Sequence, residues 1–358
     1  MAKTLDPSVK KLLHEGTVIP AHPLALQHDH TIDVQRQQAL TRYYIASGAG
    51  GVAVGVHTTQ FEIRKPGIDL LEPVLRLTAE TIDSQALSRP FIRVAGVCGP
   101  LGQALKEAAL AAKYGYHLAL VSLGGLGDCT EEELAEHIRA IAEVIPVFGF
   151  YLQPAVGGRR LSYAFWSAIA RMENVCAIKV AAFNRYQTLD VVNAVCHSGR
   201  ADEIALYTGN DDNIVADLLT PYRIPVDGRL VEKRFVGGLL GHWAVWTKQA
   251  VSLFAEIRDC IANNYAGADR LLAKGIAVTD MNAAIFDAVN SFRGSIAGIH
   301  EVLRRQGLLQ DIVCIDPKEK LSSGQSGQID RIYQAWKSYT DDAFVQEFLR
   351  REQSARPV

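Results

Sequence analysis

Short apolar runs alternate with longer stretches of helical period over most of the chain. TVIPAHPLAL (Thr17–Leu26) reads as a strand running into a loop. Asp33 caps a helix that reaches about Ser47 and stops at Gly48. Further strands are expected at Gly51–Val56, Phe91–Val97, His117–Ser122, within VFGFYLQP (147–154) and NVCAIKVAA (174–182), and at Glu203–Gly209 and Phe235–Leu240. Helices fill the intervals. One has Pro73 in its first turn and another opens at Pro100. A third carries a Thr130/Glu133 capping box ahead of Leu134, Ile138 and Ile141, and a fourth is capped by Ser162. Two more end near Gly199 and Leu219.

Eight strand–helix alternations in roughly the 250 residues such folds use predict a (β/α)8 TIM barrel. Alternation alone does not show closure, so an open doubly wound sheet is the other architecture. No GxGxxG or GxxxxGK[ST] motif supports a nucleotide-binding version of it. Beyond about Thr247 the pattern turns helical, near 247–263, 281–305 and 327–351, with GQSGQ (Gly324–Gln328) as a turn-rich joint. The expected organisation is a barrel with an N-terminal lead-in over 1–246. The last barrel helix and a C-terminal helical extension then occupy 247–358.

Strands five and six carry the candidate chemistry. Alternation sets Val147, Gly149 and Tyr151 on one face, opposite Phe148, Phe150 and Leu152. It likewise groups Val175, Ala177 and Lys179 against Cys176, Ile178 and Val180. Small residues with one polar tip suit a crowded barrel interior, leaving the bulky face to helices. A lysine in such a strand either snorkels from its end or has a purpose. A phenol on the neighbouring strand favours purpose.

Bulk properties remove other classes. The 358 residues carry a formal net charge of −2 and are 48% hydrophobic, with no basic cluster suited to nucleic acid. No apolar run approaches the roughly 20 residues of a membrane span, and the start of the chain lacks a secretory apolar core. The six cysteines show no CxxC or paired spacing, consistent with a reduced, cytoplasmic protein.

These residues resemble the dihydrodipicolinate synthase / N-acetylneuraminate lyase family of class I aldolases. The resemblance rests on Tyr151-Leu-Gln-Pro154 ending strand five and Ile178-Lys179 on strand six. It is joined by Thr58-Thr59 after strand two and Gly209-Asn210-Asp211 after strand seven. It implies an imine between Lys179 and pyruvate or another 2-oxo acid, with Tyr151 as proton shuttle. Thr58 and Thr59 would cradle the oxo-acid carboxylate, with Gly209 and Leu240 as further substrate contacts. His57 and His22 are possible auxiliaries, or hydrogen-bonded structural residues. The imine needs no metal or organic cofactor. The implied partners are a 2-oxo acid with an aldehyde or sugar acid, and further copies of the chain in a homo-oligomer, with no nucleic acid or membrane.

The departures are equally specific. Gln60-Phe61 stands where the family has Gly-Glu, and Ser122-Leu-Gly-Gly125 replaces the synthases' Pro-Tyr-Tyr. Ala155–Gly158 replaces the segment that supplies an arginine to the second substrate, with Arg159 and Arg160 nearby but out of register. Dihydrodipicolinate synthesis itself is therefore not expected. The same imine would equally serve a dehydratase or hydratase of a sugar acid. A non-catalytic oxo-acid-binding relative is a further alternative. A metal-dependent hydrolase would draw on His28-Asp-His30, though that motif sits in a polar loop. Pro221–Arg234 is a charged excursion that would line the mouth or decorate the rim.

Overall fold

The computed structural model describes residues 4–354. Its strands are β1 (Val18–Pro20), β2 (Gly51–Val54), β3 (Ile92–Val97), β4 (Leu118–Val121), β5 (Val147–Leu152), β6 (Val175–Ala181), β7 (Ala205–Thr208), β8 (Tyr222–Val226), β9 (Arg229–Lys233) and β10 (Phe235–Leu240). All but β8 and β9 form one sheet in the order β1-β10-β7-β6-β5-β4-β3-β2. A parallel bridge between Ala21 and Ala53 joins its two ends. The protein is a (β/α)8 TIM barrel with C-terminal helices. The central strands are buried on both faces, which is why they read as unbroken apolar runs.

Contacts divide the chain into two compact units, one built from residues up to Thr17 with Ile92–Leu239, the other from Val18–Phe91 with residues from Leu240 onward. The helices beyond residue 246 therefore belong with residues 18–91 rather than forming a separate appendage.

The first unit opens with helix α1 (Pro7–Glu15), capped by Asp6, where the sequence suggested only a polar lead-in. The buried Tyr207 hydroxyl on β7 donates to the Leu13 carbonyl at 3.0 Å and ties this helix to the sheet. The charged excursion is the antiparallel hairpin β8–β9, turning at Asp227-Gly228 with both φ positive, as a type I′ turn requires. It leads directly into the first residue of β10. It therefore lies at the amino-terminal ends of the barrel strands and cannot line a mouth formed by their carboxyl ends.

In the second unit, α2 (Val34–Ser47) runs from its Asp33 cap to a left-handed Gly48, as expected from its pattern. Helix α3 (Leu71–Ser84) follows β2. The first unit supplies α4 (Leu101–Lys113), α5 (Glu131–Ala142), α6 (Tyr163–Ala170), α7 (Arg185–Cys196) and α8 (Ile214–Leu219). Both capping-box bonds of Thr130 and Glu133 are present on α5. The tail is α9 (Thr247–Ala262), α10 (Ala268–Ile285), α11 (Ser295–Gln306), α12 (Gln325–Ala335) and α13 (Asp342–Ser354). Most of α10 was not apparent from the sequence. The GQSGQ stretch begins α12 with a left-handed Gly324 as its cap, instead of acting as a joint. Asp341 holds this tail to α2: it accepts from the Tyr43 hydroxyl (2.6 Å), the Lys248 N–H (3.0 Å) and the Gln306 amide (2.8 Å).

Candidate active site

Lys179 lies on β6 with Phe150 of β5 as its register partner on one side and Tyr207 of β7 on the other. The residue is 9% exposed, and its Nζ stands 4.4 Å from the centre of the Phe150 ring. Burial lowers its pKa to about 8, against an opposing pull from Asp211. Gly209 closes over the stem: a β-carbon there would come within 2.5 Å of Lys179 Cε. Its N–H donates to the Val180 carbonyl at 2.7 Å, locking the turn after β7 to the end of β6.

The expected faces of β5 need correction. Val147 pairs with Val175, but Phe148 pairs with Ala177, so one extra β6 residue opposes β5 at this point. The slip reverses which β5 side chains accompany Lys179. Phe148 and Phe150 share its face, and Phe148 meets Tyr207 edge-on across the intervening β6. Gly149 and Tyr151 point the other way. Tyr151 pairs with Val180, its ring lies 5.3 Å from that of Trp166 on α6, and its hydroxyl is held between the N–H and carbonyl of Leu161. Burial raises its pKa. The structure thus does not bring Tyr151 and Lys179 together, and the phenol is not placed to act as the lysine's proton shuttle.

In the second unit, Thr58 and Thr59 occupy a 3-10 turn after β2. Both hydroxyls donate to the His22 carbonyl, at 3.3 and 2.7 Å. Thr59 Oγ1 also accepts from the Gly55 N–H. His22 is fully buried, with Nδ1 2.7 Å from the Pro23 carbonyl and Nε2 2.9 Å from Thr41 Oγ1. Desolvation lowers its pKa to about 4, which favours the neutral imidazole. His57 begins the same turn, half-buried, with its ring 6.1 Å from that of Phe61. Leu240 ends β10 buried, and its carbonyl accepts from the Ala21 N–H.

Two residues here escaped the sequence reading. Gln60, standing where the family has glycine, adopts φ +67, and its side chain accepts from the Ile315 N–H at 2.7 Å. Phe286, from the end of α10, lies against Gly241 at a point where a β-carbon would also be 3.6 Å from Thr58 Cγ2. Both contacts join segments distant in sequence and leave no local signal. Arg159 is also placed: Nη1 donates to the Leu126 and Cys129 carbonyls, bracing the loop after β4. His28 and His30 lie in an exposed turn. Among the described residues no group of three or more His, Cys, Asp or Glu side chains could hold a metal ion. No helix among them is long and apolar enough to cross a membrane.

The chain is a (β/α)8 barrel protein with a buried lysine on its sixth strand. The family model for the dihydrodipicolinate synthetase family matches residues 15–221, and the chain belongs to that family. Solved structures agree in fold. A monomeric dihydrodipicolinate synthase variant is 18% identical, with TM-score 0.73 over 92% of this chain and 98% of that one. The Bacillus anthracis synthase is 18% identical, with TM-score 0.71 over 89% and 97%. YagE, a prophage protein of E. coli K12 solved in complex with pyruvate, is 17% identical, with TM-score 0.70 over 90% and 98%. No curated protein matches the sequence.

Proposed function

We propose that the protein is a class I lyase that forms an imine between Lys179 and pyruvate or another 2-oxo acid. The neutral amine adds to the ketone carbon and water leaves; the iminium then takes up the electron pair of the bond between its α- and β-carbons while the β-hydroxyl gives its proton to water, leaving an enamine and an aldehyde. The reverse sequence forms the bond from an enamine and an aldehyde, and hydrolysis releases the product. The observation carrying this reading is the burial of Lys179 against Phe150, which keeps about a tenth of the amine neutral near pH 7. Family membership and the pyruvate complex of YagE support the 2-oxo acid half.

The other substrate is an aldehyde or sugar acid rather than that of dihydrodipicolinate synthesis. Ser122–Gly125 and Ala155–Gly158 lack the synthase side chains, and Arg159 is occupied by backbone carbonyls. Borohydride reduction in the presence of pyruvate, followed by peptide mass mapping, tests the proposal. The expected result is a reduced pyruvate adduct on Lys179 that is absent from Lys179→Ala. No adduct with pyruvate or a panel of 2-oxo acids overturns it.

A further inference from the structure

The turn that covers Lys179 is held by a buried carboxylate with no contact to the lysine assigned to it. Asp217, on α8, is fully buried. Its Oδ2 accepts from Thr208 Oγ1 at 2.6 Å and Asn210 Nδ2 at 2.8 Å. Its Oδ1 accepts from Asn213 Nδ2 at 3.1 Å and from the Arg185 guanidinium at the start of α7. The ring closes on itself, because the Asn210 N–H donates to Thr208 Oγ1 at 3.2 Å. Asn210 then reaches back to the segment after β6, its Oδ1 accepting from the N–H of Phe183 at 2.9 Å. Phe183 has φ +52, an unfavourable conformation for an aromatic residue that this bond helps to hold. Gly209 sits inside the ring, against the lysine stem.

We propose that Asp217 is a positioning residue for Lys179: through Thr208 and Asn210 it clamps the Gly209 turn onto the lysine and keeps water from the amine. This deepens the imine reading and rests on it for its catalytic meaning. Six donor contacts, four within residues 208–217 and one each from Arg185 and Phe183, converge where the turn meets the lysine. A buried carboxylate is stable only when its oxygens are satisfied, and here four donors satisfy it. The ring is therefore rigid, and so is the wall it presents. The other groups on this wall are Asp211, the Tyr207 hydroxyl bound to Leu13, and the non-titrating Phe150 ring.

The test uses Asp217→Asn, Thr208→Val and Thr208→Ser in the full chain. Thr208→Val removes the hydroxyl without altering charge, and Thr208→Ser restores it. The substrate-free readout is the pH dependence of Lys179 labelling by trinitrobenzenesulfonate, mapped by mass. The parent should label with a midpoint of about 8. The Asp217→Asn and Thr208→Val variants admit water, so their midpoints should rise by about one unit, with pyruvate trapping at pH 7 falling about tenfold and converging with the parent at alkaline pH. Thr208→Ser should follow the parent. Unchanged midpoints in folded variants, or a loss equal at every pH, overturn the proposal. If Asp217→Asn does not fold, the Thr208 pair decides. If the parent labels as expected but traps no 2-oxo acid, the imine reading falls while the positioning result stands.

Discussion

Phe150 and Lys179 are register partners on adjacent strands, and the face of the phenyl ring lies 4.4 Å from the lysine nitrogen. The residue next to the amine on β5 is therefore an aromatic hydrocarbon, with the phenol one position further on turned to α6. The ring face attracts the ammonium by a cation–π contact and supplies no proton, so the lowered pKa comes from burial rather than from the ring itself. Lys179 is tuned chiefly by exclusion of water, and its environment is sensitive to anything that opens it.

Tyr151→Phe should cost about 0.5–1.5 kcal/mol of stability, from the lost hydroxyl bonds to Leu161. Borohydride trapping should change less than about threefold. A loss of about a hundredfold in a folded variant would return the phenol to proton transfer.

Gly209→Ala places a methyl 2.5 Å from Lys179 Cε and 2.9 Å from Ala181 Cβ, so the turn or the lysine must move. Overpacking of this kind costs about 1–3 kcal/mol. Trapping should fall at least about tenfold, because a displaced amine loses its approach to the ketone. Thermal melts and trapping rates that both match the parent would show that the turn yields freely.

Lys179 makes the folded state proton-poor relative to the unfolded chain. Its folded pKa of about 8 lies below the ordinary value of 10.5, so unfolding takes up protons between those limits. The penalty for burying the ammonium is fully present below pH 8 and fades as pH rises towards 10.5. Lys179→Met should therefore be more stable than the parent at pH 7, by up to on the order of 3 kcal/mol. The gap should shrink at pH 10. Denaturant melts at the two pH values check both sign and trend, and a gap independent of pH would contradict the assignment.

Asp341→Ala strands three donors, the buried Tyr43 hydroxyl and Gln306 amide and the half-buried Lys248 N–H. The expected destabilisation is about 3–5 kcal/mol, against about 1 kcal/mol for Tyr43→Phe. Chemical denaturation of both variants distinguishes the clamp from an incidental contact.

Strand order, the caps at Asp33, Thr130 and Ser162, and the position of Lys179 on strand six were all legible because each is a local signal. The side-chain direction of Tyr151 was not, because one unmatched residue on β6 between Val175 and Ala177 reverses the pairing parity. Nothing in NVCAIKVAA marks it. The hairpin carried its own signal, Asp227-Gly228 between alternating residues, which went unread beside so many charges. Gln60 and Phe286 were invisible for another reason: their partners at Ile315 and Gly241 lie far along the chain. The His22 carbonyl under Thr58 and Thr59 belongs with these, since backbone acceptors leave no trace in residue type.

The second compact unit joins Val18–Phe91 to a segment that begins only at Leu240. At roughly 5–20 residues per second of synthesis, the early segment leaves the ribosome on the order of ten seconds or more before its complement exists. Tyr43 and Tyr44 must wait exposed through that interval, since Asp341 and the Ala244 carbonyl that receive their hydroxyls are not yet made. The order of translation thus sets a window in which this chain depends on whatever shields nascent apolar surface, and slow translation would widen it.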